Sequence, residues 1–389
     1  MSARGARCVL VLNAGSSSLK FALFHGSERR HAGQVEGIGT QPRLLIAGQA
    51  PQGLPAAARH AEALECILGA LRAQGVHTAD LDACGHRVVH AGTRFVEPLL
   101  LDAARLAALE SLRALAPLHN GPGLAAIEAM RAAAPELAQV ACFDTAFHAG
   151  APEVAVRFAL PERLHAAGYR RFGFHGLNFE HVTTTLAQQH GAAATARLLI
   201  FHLGNGCSLC AVREGRSIAT TMGYSTLDGL VMGTRCGAID PGVLLALQRN
   251  EGLSLRALEH LLYQGSGLLA LSGLSSDMRT LEEAATPAAR FAIEHFCYWA
   301  ARHAGSLAAA LGGVGSVAFT GGIGVGSASV RAGICAQLAW LGIALDPARN
   351  AAHTDRIAPE GAGCPVWIVP ADEEQAILRH VHAVLDHPA

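Results

Sequence analysis

CVLVLNAGSSSLKFALF, residues 8–24, and RLLIFHLGNGCSLCAVR, residues 197–213, decide the architecture. Each is an apolar run, a turn of Gly, Ser or Asn, and a second apolar run, with Gly15 and Gly204 in the same role. Turn residues that tolerate tight backbone between two strand-like runs read as a hairpin. Two such hairpins about 190 residues apart mark a duplicated domain and not a short-period solenoid.

Outward from the hairpins, helical spacing takes over. Residues 55–74 put Leu64, Ile67, Leu68 and Leu71 on one face, and residues 102–116 open on Asp102 as N-cap and carry Leu106, Leu109, Leu112 and Leu115. Residues 287–311 read as one long, mostly buried helix, and residues 373–386 as a final helix with Ile377, Val381 and Leu385 aligned. Strands are predicted at 139–143, 316–320 and 366–369. Strands alternating with helices mean α/β layers. Residues 37–55, rich in Gly, Pro and Gln, read as a surface loop.

At 389 residues the chain exceeds what one hydrophobic core usually serves, which favours two domains. A net charge of −1, from 30 basic and 31 acidic residues, supplies no field to gather nucleic acid or an anionic membrane. Any bound anion must be caught by local groups. The ten cysteines are scattered, several within apolar runs, as expected of reduced thiols and not of a disulfide framework. Cys207 and Cys210 form a C-x2-C without the second pair that a structural zinc site needs. The N-terminal residues lack the h-region and cleavage site of a signal peptide, and no run reaches the roughly 18 apolar residues of a transmembrane helix. The expected location is cytoplasmic.

The first turn, Asn13 to Lys20, can cradle phosphate. Glycine lets backbone N–H groups approach, three serine hydroxyls add donors and Lys20 adds a charge. The spacing is not that of a Walker loop. One such turn alone is more often an ordinary hairpin; the second, His202-Leu-Gly204-Asn205-Gly206, supplies the partner that a nucleotide cleft between duplicated domains requires. A third cluster, FTGGIGVGS at residues 319–327, follows a strand and precedes a helix as a dinucleotide fingerprint does. Its G-x-G-x-G is one residue short of that motif, so a loop under a purine or ribose fits better.

Arg87, in GHRVVHAG, and Arg235, in GTRCG, are guanidinium groups in apolar or glycine surroundings. They are either clamps for carboxylate or phosphate, or halves of buried ion pairs. His86 and His90 on one strand would stand about 13 Å apart at a rise of about 3.3 Å per residue, too far to share a metal. Asp144, in CFDTAFH, and Asp372-Glu373-Glu374 follow strands, where an open α/β sheet binds its ligand. One or two carboxylates suit Mg²⁺, although Glu373 and Glu374 equally suit the start of a helix. His175, in FGFHG, is either a catalytic group or a packed core residue.

Taken together, LNAGSSSLKF, GHRVVHAG, LAPLHN, FDTAFH, FGFHG, HLGNG, GLVMGTR, AIDPG, SGLSSDMR, FTGGIG and the terminal ADEE resemble the acetate kinase family, within the acetate and sugar kinase/Hsp70/actin superfamily. The resemblance runs end to end. It implies an α/β fold of two duplicated actin-like (ribonuclease H-like) domains, residues 1–150 with 372–389 and residues 151–371, with a nucleotide cleft between them. The family's reaction is direct in-line transfer from ATP to acetate, giving acetyl phosphate and ADP, with Mg²⁺ for which Mn²⁺ can substitute. A homodimer is expected from the same resemblance.

Residue by residue, the resemblance sets Asn13, Ser16, Ser18 and Lys20 near the phosphoryl group, and Arg87 and Arg235 on the carboxylate and the transferring phosphoryl group. His119 and His175 would stabilise the transition state, Asp144 would order the arginines or the metal, and Glu373 with Asn13 would hold Mg²⁺. His202, Gly204, Asn205 and Gly206 fall to the β-phosphate side. Asp277, Met278 and Arg279, with Gly322, Ile323, Gly324 and Gly326, fall to the adenosine. Val89, Leu118, Phe174 and Thr226 would enclose the acyl methyl group.

The chain also departs from the family pattern. GIGEN is GIGVG at 322–326, losing an acid and an asparagine near the base, and H-N-P-P-N is HNGPG at 119–123. G-F-H-G-T-S-H continues as Leu177-Asn178-Phe179, and the proline that usually lines the acyl pocket is Thr226. These changes bear on substrate and nucleotide preference and leave the arginines, His175 and the carboxylates in place. Rival readings are a kinase of propionate or another short-chain acid, a dehydrogenase, and a nucleotide sensor or chaperone-like ATPase on the same fold. The last would have no use for a carboxylate clamp.

Overall fold

The computed structural model describes residues 6–56, 58–113 and 117–387, with the side chains of 117–119 outside the described set. The chain divides into two compact units, one running to Ala146 and resuming at Asp372, the other Phe147–Ala371.

The first unit holds β1 (Cys8–Ala14), β2 (Ser18–His25), β3 (Glu28–Glu36), β4 (Arg43–Ile46), β5 (Gln52–Gly53), β6 (Ala83–Val88), β7 (Leu99–Leu100) and β8 (Ala138–Phe143) in one sheet. The order is β5-β4-β3-β2-β1-β6-β8-β7. β1 runs antiparallel to β2, setting Asn13 opposite Lys20, and parallel to β6, which is parallel to β8. A strand covered on both faces reads as a continuous apolar run, and Val9 to Leu12 are all buried. Three helices, α1 (His60–Ala73), α2 (Ala103–Ser111) and α3 (Pro117–Ala133), accompany the sheet. Leu64, Ile67 and Leu71 of α1 pack against Leu10, Leu12, Leu19 and Phe21.

Three local expectations need adjusting here. Residues 37–55 are not a plain loop: β4 and β5 lie within them, pairing antiparallel at the sheet edge with Leu44 turned inward. The two strands are only four and two residues long, so the surrounding Gly, Pro and Gln hide the strand pattern. α1 starts at His60, five residues later than 55, after the Pro55 turn. α2 is capped as expected, Asp102 accepting from the Arg105 N–H at 2.6 Å, but ends at Ser111; Leu115 lies outside the described residues.

The second unit holds β9 (Arg197–Leu203), β10 (Cys207–Arg213), β11 (Arg216–Thr220), β12 (Ser316–Thr320) and β13 (Val366–Ile368), ordered β11-β10-β9-β12-β13. β9 is antiparallel to β10 and parallel to β12, which is parallel to β13. This repeats β3-β2-β1-β6-β8 strand for strand, so the two hairpins occupy equivalent places in two copies of one sheet. Its helices are α4 (Glu153–Val156), α5 (Glu162–Ala166), α6 (Gly176–His190), α7 (Pro241–Asn250), α8 (Leu255–Gln264), α9 (Gly267–Ser272), α10 (Met278–Ala284), α11 (Pro287–Leu311), α12 (Gly321–Gly326), α13 (Ala328–Gln337) and α14 (Pro347–Ala351). α11 has the bounds its sequence signals: Thr286 as N-cap, Pro287 in the first turn and Gly312 left-handed after the end. It is not mostly buried, however. Phe291 and Tyr298 are about half exposed, and an alanine-rich stripe faces the core.

The last helix, α15 (Glu373–Asp386), belongs to the first unit. It lies on β6 at Gly85, where a Cβ would meet Ile377 and Val381 methyl carbons at 2.6 and 2.7 Å. That close seat fixes where the first turn of α15 delivers its carboxylates. All ten cysteines are free thiols, and no described helix is long and apolar enough to cross a membrane.

Candidate active site

In the first unit, three parallel strands end side by side, and each offers one polar side chain. Asn13 is next to last in β1, Arg87 next to last in β6, and Asp144 directly follows β8. The Arg87 guanidinium donates from Nε and Nη2 to Asp144 Oδ2 at 3.0 and 2.5 Å, and from Nη1 to Asn13 Oδ1 at 3.3 Å. Asn13 Nδ2 donates in turn to Glu373 Oε2 at 2.7 Å and Glu374 Oε1 at 3.0 Å. Glu373 lies 3.8 Å from Arg87 Nε. Asp372 caps α15 and pairs with Arg29 of β3.

The electrostatics of this cluster are lopsided: three carboxylates share one guanidinium. Burial works to lower the Arg87 pKa, but the charges of Asp144, Glu373 and Glu374 outweigh it and raise it. Burial holds Asp144, fully inaccessible, above the ordinary carboxylate range despite Arg87. Its Oδ1 has no hydrogen-bond partner among the described residues. A net negative set of oxygen donors fits a hard divalent cation, which needs one or two protein carboxylates beside water and phosphate oxygens. Ser16 and Lys20 are exposed in the adjoining hairpin, with Ser18 half-buried. Gly15 closes that turn by donating its N–H to the Ser18 carbonyl at 2.8 Å. Val89 is buried two residues beyond Arg87.

His86 and His90 do not share a strand face, because β6 ends at Val88. Both are buried, and burial lowers each to about 4. Asn120 grips the His90 backbone, accepting from its N–H at 2.9 Å and donating to its carbonyl at 3.0 Å. The expectations for His119 and Leu118 concern side chains outside the described residues.

In the second unit, His175 is the N-cap of α6 and sits in the left-handed region, φ 58°. Its Nδ1 lies 2.8 Å from the Ser208 hydroxyl, and its ring stacks on His202 at 4.1 Å. Asn178 Nδ2 approaches His202 Nδ1 at 2.7 Å and donates to Thr320 Oγ1 at 3.2 Å. The ring is therefore fixed through Nδ1 and one face. Its Nε2 turns to the β9–β10 hairpin, where a Cβ on Gly206 would lie 3.0 Å from Nε2 and 3.8 Å from Arg235 Nη1. Arg235 donates Nη1 to the Thr226 carbonyl at 3.2 Å and has no ion pair among the described residues. Burial lowers its pKa. Phe174 and Thr226 are buried close by in sequence, while Asn205 is exposed at the hairpin tip.

The third glycine cluster folds into α12 and not into a dinucleotide loop. Gly321, φ 77°, must be glycine, because a Cβ there would sit 2.5 Å from the Leu203 carbonyl oxygen. Gly204 faces Gly322, its Cβ position lying 3.7 Å from the Gly322 nitrogen. Asp277 caps α10, accepting from the Thr280 N–H at 2.9 Å; Met278 is buried and Arg279 exposed. Thus Asn13, Arg87, Asp144 and Glu373 form one group, and His175, His202, Gly204, Gly206, Thr226, Arg235 and Gly322 another. Ser208 and Asn178 escaped the sequence reading as site members, while Glu374, read there within the acidic cluster, joins Glu373 on Asn13. The signal for Ser208 is strand alternation, which places it two residues from Gly206 in a buried run.

Two copies of a five-stranded mixed sheet flanked by helices define a duplicated actin-like α/β protein, and the arginines, histidine and carboxylates at its strand ends and turns suit transfer of an anionic group. The chain belongs to the Acetokinase family, whose profile matches residues 8–379. It is 44% identical over 387 residues to the acetate kinase of Nitrobacter hamburgensis, covering 97% of this chain and 96% of that one. The crystal structure of Porphyromonas gingivalis acetate kinase matches with TM-score 0.89 at 33% identity, covering 98% of this chain and 100% of that chain. A propionate kinase from Francisella tularensis matches equally, TM-score 0.89 at 34% identity, over 96% and 98% of the two chains.

Proposed function

We propose that this protein is an acetate kinase, moving the γ-phosphoryl group of ATP directly to a carboxylate oxygen of acetate and releasing ADP. The observation that carries the proposal is Arg235. A half-buried guanidinium with no ion pair among the described residues, set against a glycine turn and beside His175 Nε2, calls for an anion. A nucleotide sensor has no need of it.

The chemistry asks little of an acid or base. Acetate is already an adequate nucleophile, so the barrier lies in bringing two anions together and stabilising charge on the equatorial phosphoryl oxygens. Arg87 and Arg235 supply positive charge and fixed donors for the carboxylate and the transferring group. His175, oriented through Ser208 and the His202 ring, offers Nε2 as a donor to the charge that develops. Asp144 holds the Arg87 fork in register. Mg²⁺, or Mn²⁺ in its place, would be held by Glu373 and Asn13, and when bound it supplies charge neutralisation for the phosphate oxygens. The glycine turn Gly204–Gly206 and its exposed Asn205 suit the β-phosphate, and the segments around Asp277 and α12 the adenosine.

Buried Phe174 and Thr226 of the second unit would line a site for one small alkyl group. Threonine in place of a proline ring favours some tolerance of propionate, since one buried methylene is worth about 0.8 kcal/mol. We further propose a cytoplasmic homodimer. α7 has no buried residue, and Ile239, Val243 and Leu245 beside and along it are exposed. The test is hydroxylamine trapping of acyl phosphate with ATP and Mg²⁺ across acetate, propionate and butyrate. Acetyl hydroxamate should dominate. ADP formation with no hydroxamate from any acid would reject the proposal in favour of an ATPase.

A further inference from the structure

We propose that Glu282 reads the exocyclic amine of the donor's purine, replacing the polar side chains missing from the GIGVG segment; this rests on the nucleotide reading above. α10 continues one turn beyond Asp277–Arg279 to Leu281 and Glu282. There a cavity of about 580 Å³ opens between α10, α11 and α13, lined by Leu281, Ala285, Ile293 and Cys297 with Glu282 and Ser329. The exposed lining is mostly apolar, as suits a base, with Arg290, Glu294 and Gln337 as its further polar groups.

Glu282 is tied to the segment that directly follows α12. Ser327, the N-cap of α13, donates its hydroxyl to Glu282 Oε1 at 2.6 Å, and Ser329 donates to the same oxygen. Both hydroxyl protons are thus committed to Oε1, which leaves Oε2 as an acceptor and the two serines with no proton to offer a base. The backbone acceptors of the α12 segment are already used. The Gly324 and Val325 carbonyls receive Arg331 Nη1 at 2.9 and 2.7 Å, and the Ile323 carbonyl receives the Ser327 N–H at 2.9 Å. Arg331 itself is fully buried and also bound to Asn350, so it cannot swing away. Val325 and Gly326 carry no polar side chain. Glu282 is therefore the acceptor held beside α12 to meet an amino group, while Glu294 of α11 and Gln337 of α13 line the same cavity away from that segment. Glu282 also repels a base that presents an oxygen at that position. Adenine offers N–H at its 6-position, whereas hypoxanthine offers a carbonyl.

A charged hydrogen bond of this kind corresponds to a preference of about 10- to 100-fold. The experiment is calorimetric titration of the full-length protein with ADP and with IDP, in wild type and in Glu282→Gln and Glu282→Ala, alongside acyl phosphate formation by wild type. Wild type should bind ADP at least about tenfold more tightly than IDP. Glu282→Gln, whose amide can donate to an oxygen, should erase or reverse that ratio, and Glu282→Ala should bring it near one. A ratio unchanged within twofold in both variants would overturn the proposal. So would an equal weakening of both nucleotides, which marks a role only in joining α10 to α13. If wild type discriminates as expected but makes no acyl phosphate, the kinase reading fails and the base reading stands.

Discussion

A single methyl group on Gly206 should cripple turnover with little effect on stability. The backbone of Gly206 is not among those with positive φ, so alanine adds no conformational strain, and the stability change should stay below about 1 kcal/mol. The added Cβ, however, would stand 3.0 Å from His175 Nε2 and 3.1 Å from its Cε1, closer than ordinary contact. The imidazole has little room to yield. Its Nδ1 is bound to Ser208 at 2.8 Å and its ring is stacked at 4.1 Å on His202, itself held by Asn178. It must therefore shift by a few tenths of an ångström or lose one of those partners, and the methyl group also shields Nε2. A misplacement near 1 Å costs roughly 100-fold and loss of a transition-state donor about 10²–10³-fold, so a loss of about 10- to 100-fold in kcat is expected for this smaller displacement. Hydroxamate trapping gives kcat, and thermal melting checks the fold. A variant with wild-type melting and kcat within twofold of wild type would show that Nε2 does not face the reacting group.

The two arginines should fail differently. Arg87→Ala leaves Asp144 buried and unpaired, and breaking a buried pair typically costs about 3–5 kcal/mol, so turnover and melting temperature should fall together. Arg235→Ala breaks no ion pair and should lose about 10²–10³ in kcat with melting near wild type; the opposite pattern would exchange their roles. Glu373→Ala should raise the Mg²⁺ concentration for half-maximal activity more than Glu374→Ala does, and the reverse order in a metal titration would shift the assignment by one residue. Stability should decline in acid. Burial lowers His86, His90 and His148 from 6.5 to about 4, so the unfolded chain binds protons on these rings at higher pH than the folded one. Their contribution is complete above about pH 6.5 and is lost as pH falls towards 4. Urea unfolding at pH 7 and pH 5 should show lower stability at pH 5, and equal values would mean that these rings titrate normally in the fold.

The hairpins, α11 and α15 were legible because each carries a complete local signal: an apolar run either side of a turn, or a cap, a period and a stop. β4 and β5 were not, since four residues, Arg43–Ile46, and two, Gln52–Gly53, are too short for a strand period to stand out from the Gly, Pro and Gln around them. Of the site, Arg87, Asp144, Glu373, His175 and Arg235 stood out as polar groups in apolar or glycine surroundings. Ser208 and Asn178 did not, because each orients a histidine far along the chain, Ser208 bonding His175 33 residues away and Asn178 bonding His202 24 residues away, and pairing across a fold leaves no mark on either segment. Glu282 was hidden for the same reason: its two serine partners lie 45 and 47 residues later in the chain. Gly206 was read as a backbone donor to phosphate. That its missing side chain also makes room for the His175 ring is visible only in the packing.

The most direct test is ³¹P nuclear magnetic resonance of the wild-type protein mixed with ATP, acetate and Mg²⁺. Loss of the γ-phosphate signal should be matched by an acetyl phosphate resonance and ADP in equal amounts, with no lag and no inorganic phosphate as primary product. Inorganic phosphate appearing in step with ADP, and no acyl phosphate, would contradict phosphoryl transfer to the carboxylate.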